Sequence, residues 1–257
     1  MDQDPVADAR ALVEERFPQA RWAVLAGSVI TAHRTAGSDL DIVVLLPTGD
    51  PQAPHRDSRH FRGWPVETFV HDEQTLTHYL ARELPLRKPS LHRMVARSVV
   101  LVGDPSPWRA ECDRVLADGP APLTEVERDY ARYGLTDLLD DLAHAVDPGE
   151  KTVIAATAWT TTAQQALAFA DRWAGNGKWL LRELCELDRG LADRWLASFG
   201  DPEAIDAVAR EVLDLAGGAL FDGFRAAGER PSPVSAAPAP SAACGRAPGG
   251  GVGRRTR

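Results

Sequence analysis

Two aspartates at the start of an apolar segment are the residues of this sequence best suited to chemistry. Asp39 and Asp41 stand two positions apart, at the beginning of the apolar run 42–46. Alternate side chains of a strand share a face, so the two carboxylates are predicted to project together, roughly 6–7 Å apart. The run is apolar on both faces, which is typical of a strand inside a covered sheet. Two like charges there favour a divalent cation, and oxygen ligands suit Mg²⁺ that carries a phosphate substrate.

A glycine and a serine lie about ten residues before the aspartates. Gly27 and Ser28 end a predicted strand at 22–26 and precede a predicted short helix at 29–32. Glycine permits a close approach of the backbone, and the serine hydroxyl and the helix N-terminus offer donors to phosphate oxygens. The pair therefore indicates a phosphate-binding turn next to the two aspartates.

Together these motifs resemble the signature of the polymerase-beta-like nucleotidyltransferases, in which Gly-Ser is followed after a spacer by Asp-x-Asp on an apolar strand. That superfamily includes small enzymes that adenylylate aminoglycoside and lincosamide antibiotics. The resemblance covers about the first 70 residues and weakens beyond about residue 103. It implies transfer of a nucleoside monophosphate from a nucleoside triphosphate to a hydroxyl, with two metal ions held by three carboxylates. It also implies a third carboxylate on a later strand, for which Glu67, in the strand pattern 66–70, is the candidate.

The resemblance assigns roles to these residues. Asp39 and Asp41 would hold the Mg²⁺ that accompanies the nucleotide, and Glu67 would join them at a second Mg²⁺. Gly27 and Ser28 would bind the β- and γ-phosphates. ATP is the favoured nucleotide because the resembled enzymes mostly use it, and either Glu67 or a carboxylate of the C-terminal part would accept the proton of the acceptor hydroxyl.

Other interpretations of the acidic residues remain open. Asp39 and Asp41 could belong to a solvated turn, and Glu67 could be an edge-strand charge that opposes aggregation. Asp72 and Glu73 compete for the third position, although their place directly before the helical pattern 74–84 favours a helix start. Asp-x-Asp alone also occurs in metal-dependent glycosyltransferases and calcium loops.

The C-terminal half offers weaker candidates. Asp137, Asp140 and Asp141 fall at positions i, i+3 and i+4 of a predicted helix, so they share one face. They could orient an acceptor or take its proton, but a solvated helix face is the simpler interpretation. Lys178 opens a helix after Gly-Asn-Gly, and by its position it resembles the family lysine that reaches the triphosphate.

The order of the predicted elements indicates an α+β protein. Residues 1–105 are predicted to form a mixed-sheet catalytic domain, and residues 106–227 a bundle of helices. The breaks between those helices fall at Gly-Pro, Asp-Pro-Gly and Gly-Asn-Gly segments. Residues 228–257 are rich in Pro, Ala, Ser and Gly and are predicted to be disordered.

Composition narrows the function classes further. The chain has 257 residues and a net charge of −8; the segment 229–257 carries +4 (five Arg, one Glu), which leaves −12 for the rest. Enzymes that act on nucleic acid are usually basic, so the balance favours a small-molecule acceptor, either cationic or neutral. The sequence contains no long apolar run, which predicts a protein without a membrane partner. Its three cysteines are scattered, which predicts a cytoplasmic protein without disulfides or a zinc site.

Two other functions fit the same motifs. One is a protein-adenylylating antitoxin of a toxin–antitoxin pair, although the large helical part argues against it. The other is a nucleotide-sensing module without catalysis, although all three expected carboxylates have candidates. The sequence leaves open the acceptor, the nucleotide and the oligomeric state.

Overall fold

The computed structural model of the protein describes residues 4–228, and it confirms the α+β class. A five-stranded sheet forms the N-terminal part, and helices make up the remainder of the described chain. The strands are β1 (Trp22–Ala26), β2 (Leu40–Leu45), β3 (His55–Phe61), β4 (Trp64–His71) and β5 (Val99–Gly103). The helices are α1 (Pro5–Arg16), α2 (Glu73–Leu86), α3 (Ser90–Ala96), α4 (Ser106–Asp118), α5 (Glu125–His144), α6 (Pro148–Phe169), α7 (Lys178–Leu187), α8 (Arg189–Ala197) and α9 (Pro202–Asp214).

The sheet is mixed, as predicted, with strand order β3-β4-β2-β1-β5. β2 and β4 run parallel, and their register places Asp41 directly beside Glu67. The other neighbouring pairs are antiparallel, with Ala26 beside Asp41 in the β1–β2 pair. The end of β1 and the acidic positions of β2 and β4 therefore lie side by side across the centre of the sheet.

Both faces of the central strands are covered, which explains why β1 and the apolar part of β2 carry no polar residue. All five residues of β1 are buried. On one face α1 packs through Leu12, Val13 and Phe17. On the other face α2, α3 and α4 contribute a second cluster that includes Leu76 and Val95. This double cover fixes the positions of the residues at the strand ends.

Helices α5 to α9 have apolar clusters of their own, separate from the two that flank the sheet. Trp159 and Trp195 stack at 3.9 Å between ring centroids, and each indole N–H donates to the other residue's carbonyl.

Residues up to Phe224 form one compact unit, while the described residues 225–228 belong to no helix or strand. The division near residue 105 stays a prediction. No helix of the described chain is both long and apolar enough to cross a membrane.

Three elements differ from the sequence-based expectation. Helix α3 was not predicted, because it is only seven residues long and lies between Pro89 and Ser98 without a capping side chain. Helix α6 ends at Phe169, before the Gly-Asn-Gly break at 175–177 that the sequence indicated, since the following Asp171 adopts a positive φ of 50°. Although the helix bundle was predicted to extend to residue 227, residues 217–226 form no helix, because Gly217 and Gly218 both adopt left-handed backbone conformations. The predicted disorder at 229–257 falls outside the described residues.

Asp72 caps helix α2, as the sequence indicated, and does not join the acidic cluster. Its carboxylate accepts hydrogen bonds from Thr75 N at 2.9 Å and from Gly49 N at 2.9 Å. These backbone donors lower the pKa of Asp72 to about 2. Asp72 thus ties the start of α2 to the turn after β2.

Replacing Asp72 with alanine should lower the urea midpoint of unfolding, because it removes the cap and leaves the Gly49 N–H without its acceptor. Nucleotide binding should stay unchanged, since Asp72 is not one of the three clustered carboxylates. Paired measurements of urea unfolding and Mg-ATP calorimetry on D72A check this. Loss of binding in a folded D72A protein would instead favour Asp72 as the third carboxylate.

Candidate active site

Three carboxylates meet at the centre of the sheet. Asp39 precedes β2, Asp41 lies within it and Glu67 lies on β4, and one oxygen from each falls within 4.8 Å of the other two. All three side chains are partly buried. The proximity follows from the parallel register of β2 and β4, together with the two-residue period that puts both aspartates on one face. The structure thus brings together the three residues that the sequence singled out as possible metal ligands.

The repulsion within this cluster appears in the acidity of Asp41. Burial, followed by the charges of Asp39 and Glu67, raises the pKa of Asp41 to about 6. The positive charges of Arg56 and Lys178 oppose this rise without cancelling it. Oxygen ligands at this spacing, with excess negative charge, fit the donor set that Mg²⁺ requires. The chemistry of the cluster is therefore consistent with a divalent cation.

Gly27 lies against Asp41 more closely than any residue with a side chain could. Its φ of 84° and ψ of −170° fall in a region that is essentially restricted to glycine. A Cβ at this position would lie 2.3 Å from Asp41 Oδ2. The glycine is thus required both by the backbone conformation and by the space that the carboxylate occupies.

Ser28 begins a short 3₁₀ helix, Ser28–Ile30, at the place where the sequence predicted a short helix over 29–32. Its hydroxyl lies 2.9 Å from the Ser38 hydroxyl, and the Ser38 hydroxyl accepts from Thr35 N at 3.0 Å. These bonds join the turn after β1 to the loop that leads into Asp39. Both Gly27 and Ser28 line a cleft of about 830 Å³ that also contains Asp41.

The part of this cleft that helices form, here called the basic wall, carries five cationic side chains and one acidic one, Glu186, which the sequence analysis did not anticipate. Its cationic side chains come from the segment around α3 and from α7 and α8. They are Lys88, Arg93, Arg97, Arg182 and Arg189. The spacing of Arg93 and Arg97, with Leu91 and Val95 on the same segment, is the pattern that could have revealed this short amphipathic helix. Although the chain as a whole is acidic, cationic residues outnumber acidic ones among those that line the cleft with Gly27 and Ser28.

Trp179 links two of these arginines. The guanidinium carbons of Arg93 and Arg182 lie 5.7 and 4.7 Å from the Trp179 ring centroid. Arg93 is also anchored by Glu183, whose carboxylate is 2.6 Å away. Trp179 itself lines the cleft. Lys178, the predicted triphosphate ligand, is close enough to influence the Asp41 carboxylate, although it is not among the residues that line the cleft.

Arg56 on β3 neutralises part of the acidic cluster. Its guanidinium donates a hydrogen bond to Glu67 Oε2 and lies 4.8 Å from the Phe69 ring centroid. Residues 56 and 69 are direct neighbours in the antiparallel β3–β4 pair. Arg56 thus fixes the Glu67 carboxylate through an ion pair.

The acidic residues of α5 lie elsewhere. Asp137, Asp140 and Asp141 are exposed, and none of them lines the cleft that contains Asp41. Their shared helix face is as predicted, but the structure does not bring it to the carboxylate cluster. Nothing in their surroundings supports a role in substrate binding.

Comparison with known proteins finds structural likeness at low sequence identity. No protein-family model and no curated sequence matches the chain. Among solved structures, a nucleotidyltransferase-like protein from Exiguobacterium sibiricum superposes with a TM-score of 0.43 at 12% sequence identity, covering 83% of this chain and 75% of that one. At this level the likeness carries no argument about function.

Proposed function

We propose that this protein is a nucleotidyltransferase that moves a nucleoside monophosphate, with ATP as the preferred donor, onto a hydroxyl of a small molecule. The observation that carries the proposal is the set of Asp39, Asp41 and Glu67 within 4.8 Å of one another. Asp41 of this set lines a cleft that also contains Gly27, Ser28 and five cationic side chains. A carboxylate cluster at the edge of a cleft with several cationic side chains is suited to a metal-bound polyphosphate.

The three carboxylates would hold Mg²⁺. When bound there, Mg²⁺ would offset charge on the phosphates and lower the pKa of the acceptor hydroxyl. The Gly27 turn lies directly beside Asp41, so its backbone can approach a phosphate there, and the Ser28 hydroxyl can donate to a phosphate oxygen. The arginines of the cleft would bind the remaining phosphate oxygens and orient the leaving pyrophosphate.

We assign Glu67 as the residue that takes the proton from the acceptor hydroxyl. Glu67 on β4 lies on the side of Asp41 away from β1 and Gly27, and Arg56 of β3 donates a hydrogen bond to its carboxylate. From this position its carboxylate can accept the proton of an attacking hydroxyl. The acidic residues of α5 are left out of this assignment because they lie away from the cleft.

A Mg²⁺-dependent pyrophosphate-release screen tests the proposal. Each of the four nucleoside triphosphates is combined with a panel of hydroxyl acceptors that includes aminoglycosides, lincosamides, simple polyols and aromatic alcohols. Asp41→Asn protein serves as the blank. Release that requires Mg²⁺, one nucleotide and one acceptor supports the proposal. Absence of both release and Mg-triphosphate binding contradicts it and favours a module without catalysis.

The basic wall of the cleft makes a separate prediction. Replacing Arg182 with glutamine should weaken Mg-ATP binding about tenfold, because a charge-assisted hydrogen bond to phosphate is lost. Calorimetry without acceptor measures this. Arg128→Gln is the matched control, since Arg128 also stacks over an aromatic ring, at 5.7 Å from the Phe169 centroid, but lies outside the cleft. Equal affinity in both variants would remove Arg182 from the phosphate site.

A further inference from the structure

A second cavity, of about 370 Å³, lies on the same face of the sheet as the carboxylates. Its floor includes Phe69 and His71 of β4, which alternate with Glu67 on one face of that strand. Helices α2 and α3 form its walls. Ser90 and Met94 line both this cavity and the catalytic cleft, so the two spaces adjoin.

The order of the strands places this cavity on the acceptor side of the proposed reaction. Crossing the sheet from β1 to β3, one meets the Gly27 turn, then Asp41 on β2, Glu67 on β4 and Arg56 on β3. In an in-line displacement the attacking and leaving oxygens lie on opposite sides of the phosphorus. If pyrophosphate leaves toward the Gly27 turn, the acceptor must approach from the side of β4 and β3, where the second cavity lies.

The cavity surface is mainly apolar. Phe69, Leu91 and Met94 contribute to it from the sheet and from α3. Tyr79 and Leu86 of α2 also line it and keep 38% and 65% of their surface exposed. Large apolar side chains left exposed around a concave site favour a ligand with an apolar body, because its binding removes that surface from water.

Two polar groups in the cavity lack partners. His71 is only 7% exposed, and within the described chain its Nδ1 has no hydrogen-bond partner although the ring contacts Tyr79 at 5.3 Å. Arg82 stacks over Tyr79 at 5.6 Å and has no carboxylate within ion-pair distance among residues 4–228. The Arg82 guanidinium, which is exposed and has no ion-pair partner in the described chain, favours a ligand with an anionic group at this part of the cavity, and the His71 ring contacts the same tyrosine.

A cationic ligand finds no free carboxylate there. Glu83 is the acidic residue among those lining the cavity, and both of its oxygens accept from Leu91 N, at 2.7 and 3.0 Å. One of them also lies 3.0 Å from His92 Nδ1. Burial lowers the pKa of His71 to about 4, so its ring is neutral at pH 7. The local charge is therefore opposite to that suggested by the acidic net charge of the chain.

We infer that this cavity binds the acceptor and that the acceptor is a compact, largely apolar hydroxyl compound with an acidic group, held by His71 and Arg82, rather than a polycationic amino sugar. This inference rests on the proposed nucleotidyl transfer. The acidic group lies at the His71 end of the cavity, and the hydroxyl points along β4 toward Arg56 and Glu67.

Three probes that share a ring and a hydroxyl but differ in charge test the inference. They are 4-(hydroxymethyl)benzoate, 1,4-benzenedimethanol and 4-(hydroxymethyl)benzylamine, measured by calorimetry on the full chain with and without Mg-ATP. The acid is expected to bind at least about tenfold more tightly than the amine. His71→Phe and Arg82→Gln should each weaken binding of the acid by about tenfold and change the affinity for the diol by no more than about twofold. Arg128→Gln should change neither.

The outcomes separate this inference from the proposed function. Preference for the amine, or binding of the acid that both cavity variants leave unchanged, overturns the inference. Competition between Mg-ATP and the acid also overturns it, because the cavity would then hold the nucleoside. If nucleotide transfer to an acceptor is observed and the KM for that acceptor is unchanged in both His71→Phe and Arg82→Gln, the inference is overturned while the proposed function stands. Failure of the protein to bind any Mg-triphosphate overturns the proposed function and the acceptor role with it.

Discussion

Asp41→Asn is expected to abolish nucleotide transfer and yet to stabilise the metal-free protein at pH 7. Activity should fall by at least about a thousandfold, because the substitution removes a ligand and a charge from the centre of the cluster. Stability should rise because asparagine does not need to carry a charge beside Asp39 and Glu67. The measurements are pyrophosphate release and urea unfolding in EDTA.

The sign of this effect follows from the pKa of Asp41, which rises from 3.8 to about 6 on folding. The folded state holds the proton more tightly than the unfolded state, so ionised Asp41 opposes folding. The penalty is absent below about pH 4, grows as the pH rises toward 6, and amounts to no more than about 3 kcal/mol above that. The stability difference between D41N and the wild type should grow over the same range.

Asp113→Asn is the control for this prediction. Asp113 is an exposed carboxylate on α4, away from the cluster. Its substitution should alter neither activity nor the pH dependence of unfolding. Normal turnover by D41N would contradict the assigned site, and a pH-independent stability difference would contradict the repulsion that we assign to the three carboxylates.

Among substitutions in the site that add only one methyl group, Gly27→Ala is expected to have the most damaging effect. The added Cβ would lie 2.3 Å from Asp41 Oδ2, on a backbone with φ of 84° that favours glycine. The Asp41 carboxylate must then move, and a displacement of about 1 Å at a reacting centre can lower the rate about a hundredfold. Backbone strain should also lower the free energy of unfolding by about 1–3 kcal/mol.

Gly49→Ala separates the two contributions. Gly49 also has a positive φ, of 76°, but a Cβ there would meet no atom within 4 Å. We expect G49A to lose stability to a similar extent and to keep its transfer rate. Kinetics and urea unfolding of both variants test this. Equal activity in G27A and G49A would show that the close approach of Gly27 to Asp41 is not required for function.

The sequence identified the centre of the site because its residues obey short-range rules. The two-residue period of a strand places Asp39 and Asp41 on one face, and the long apolar runs predict the central strands. Glu67 required more, because its position beside Asp41 depends on the parallel register of β2 and β4. The alternation along a strand predicts on which face of the sheet a side chain lies. Which residue lies beside it on the adjacent strand is known only once the sheet is assembled.

The basic wall and the second cavity could not be predicted in this way. Arg93 and Arg182 belong to α3 and α7, 89 positions apart in the chain, and they meet on Trp179 only because those helices pack together. The net charge of −8 gave no indication of a local positive surface. The unpartnered Nδ1 of His71 is likewise a property of packing, since no sequence pattern tells whether a buried histidine finds a partner.

The central claim is that Asp39, Asp41 and Glu67 hold a divalent cation together with a nucleoside triphosphate. Electron paramagnetic resonance of Mn²⁺ tests it most directly, because it requires no knowledge of the acceptor. With ATP present, the wild type should bind Mn²⁺, and Asp39→Asn, Asp41→Asn and Glu67→Gln should each weaken that binding by at least about tenfold, while Asp113→Asn leaves it unchanged. Equal Mn²⁺ affinity in the wild type and in all three cluster variants would contradict the account.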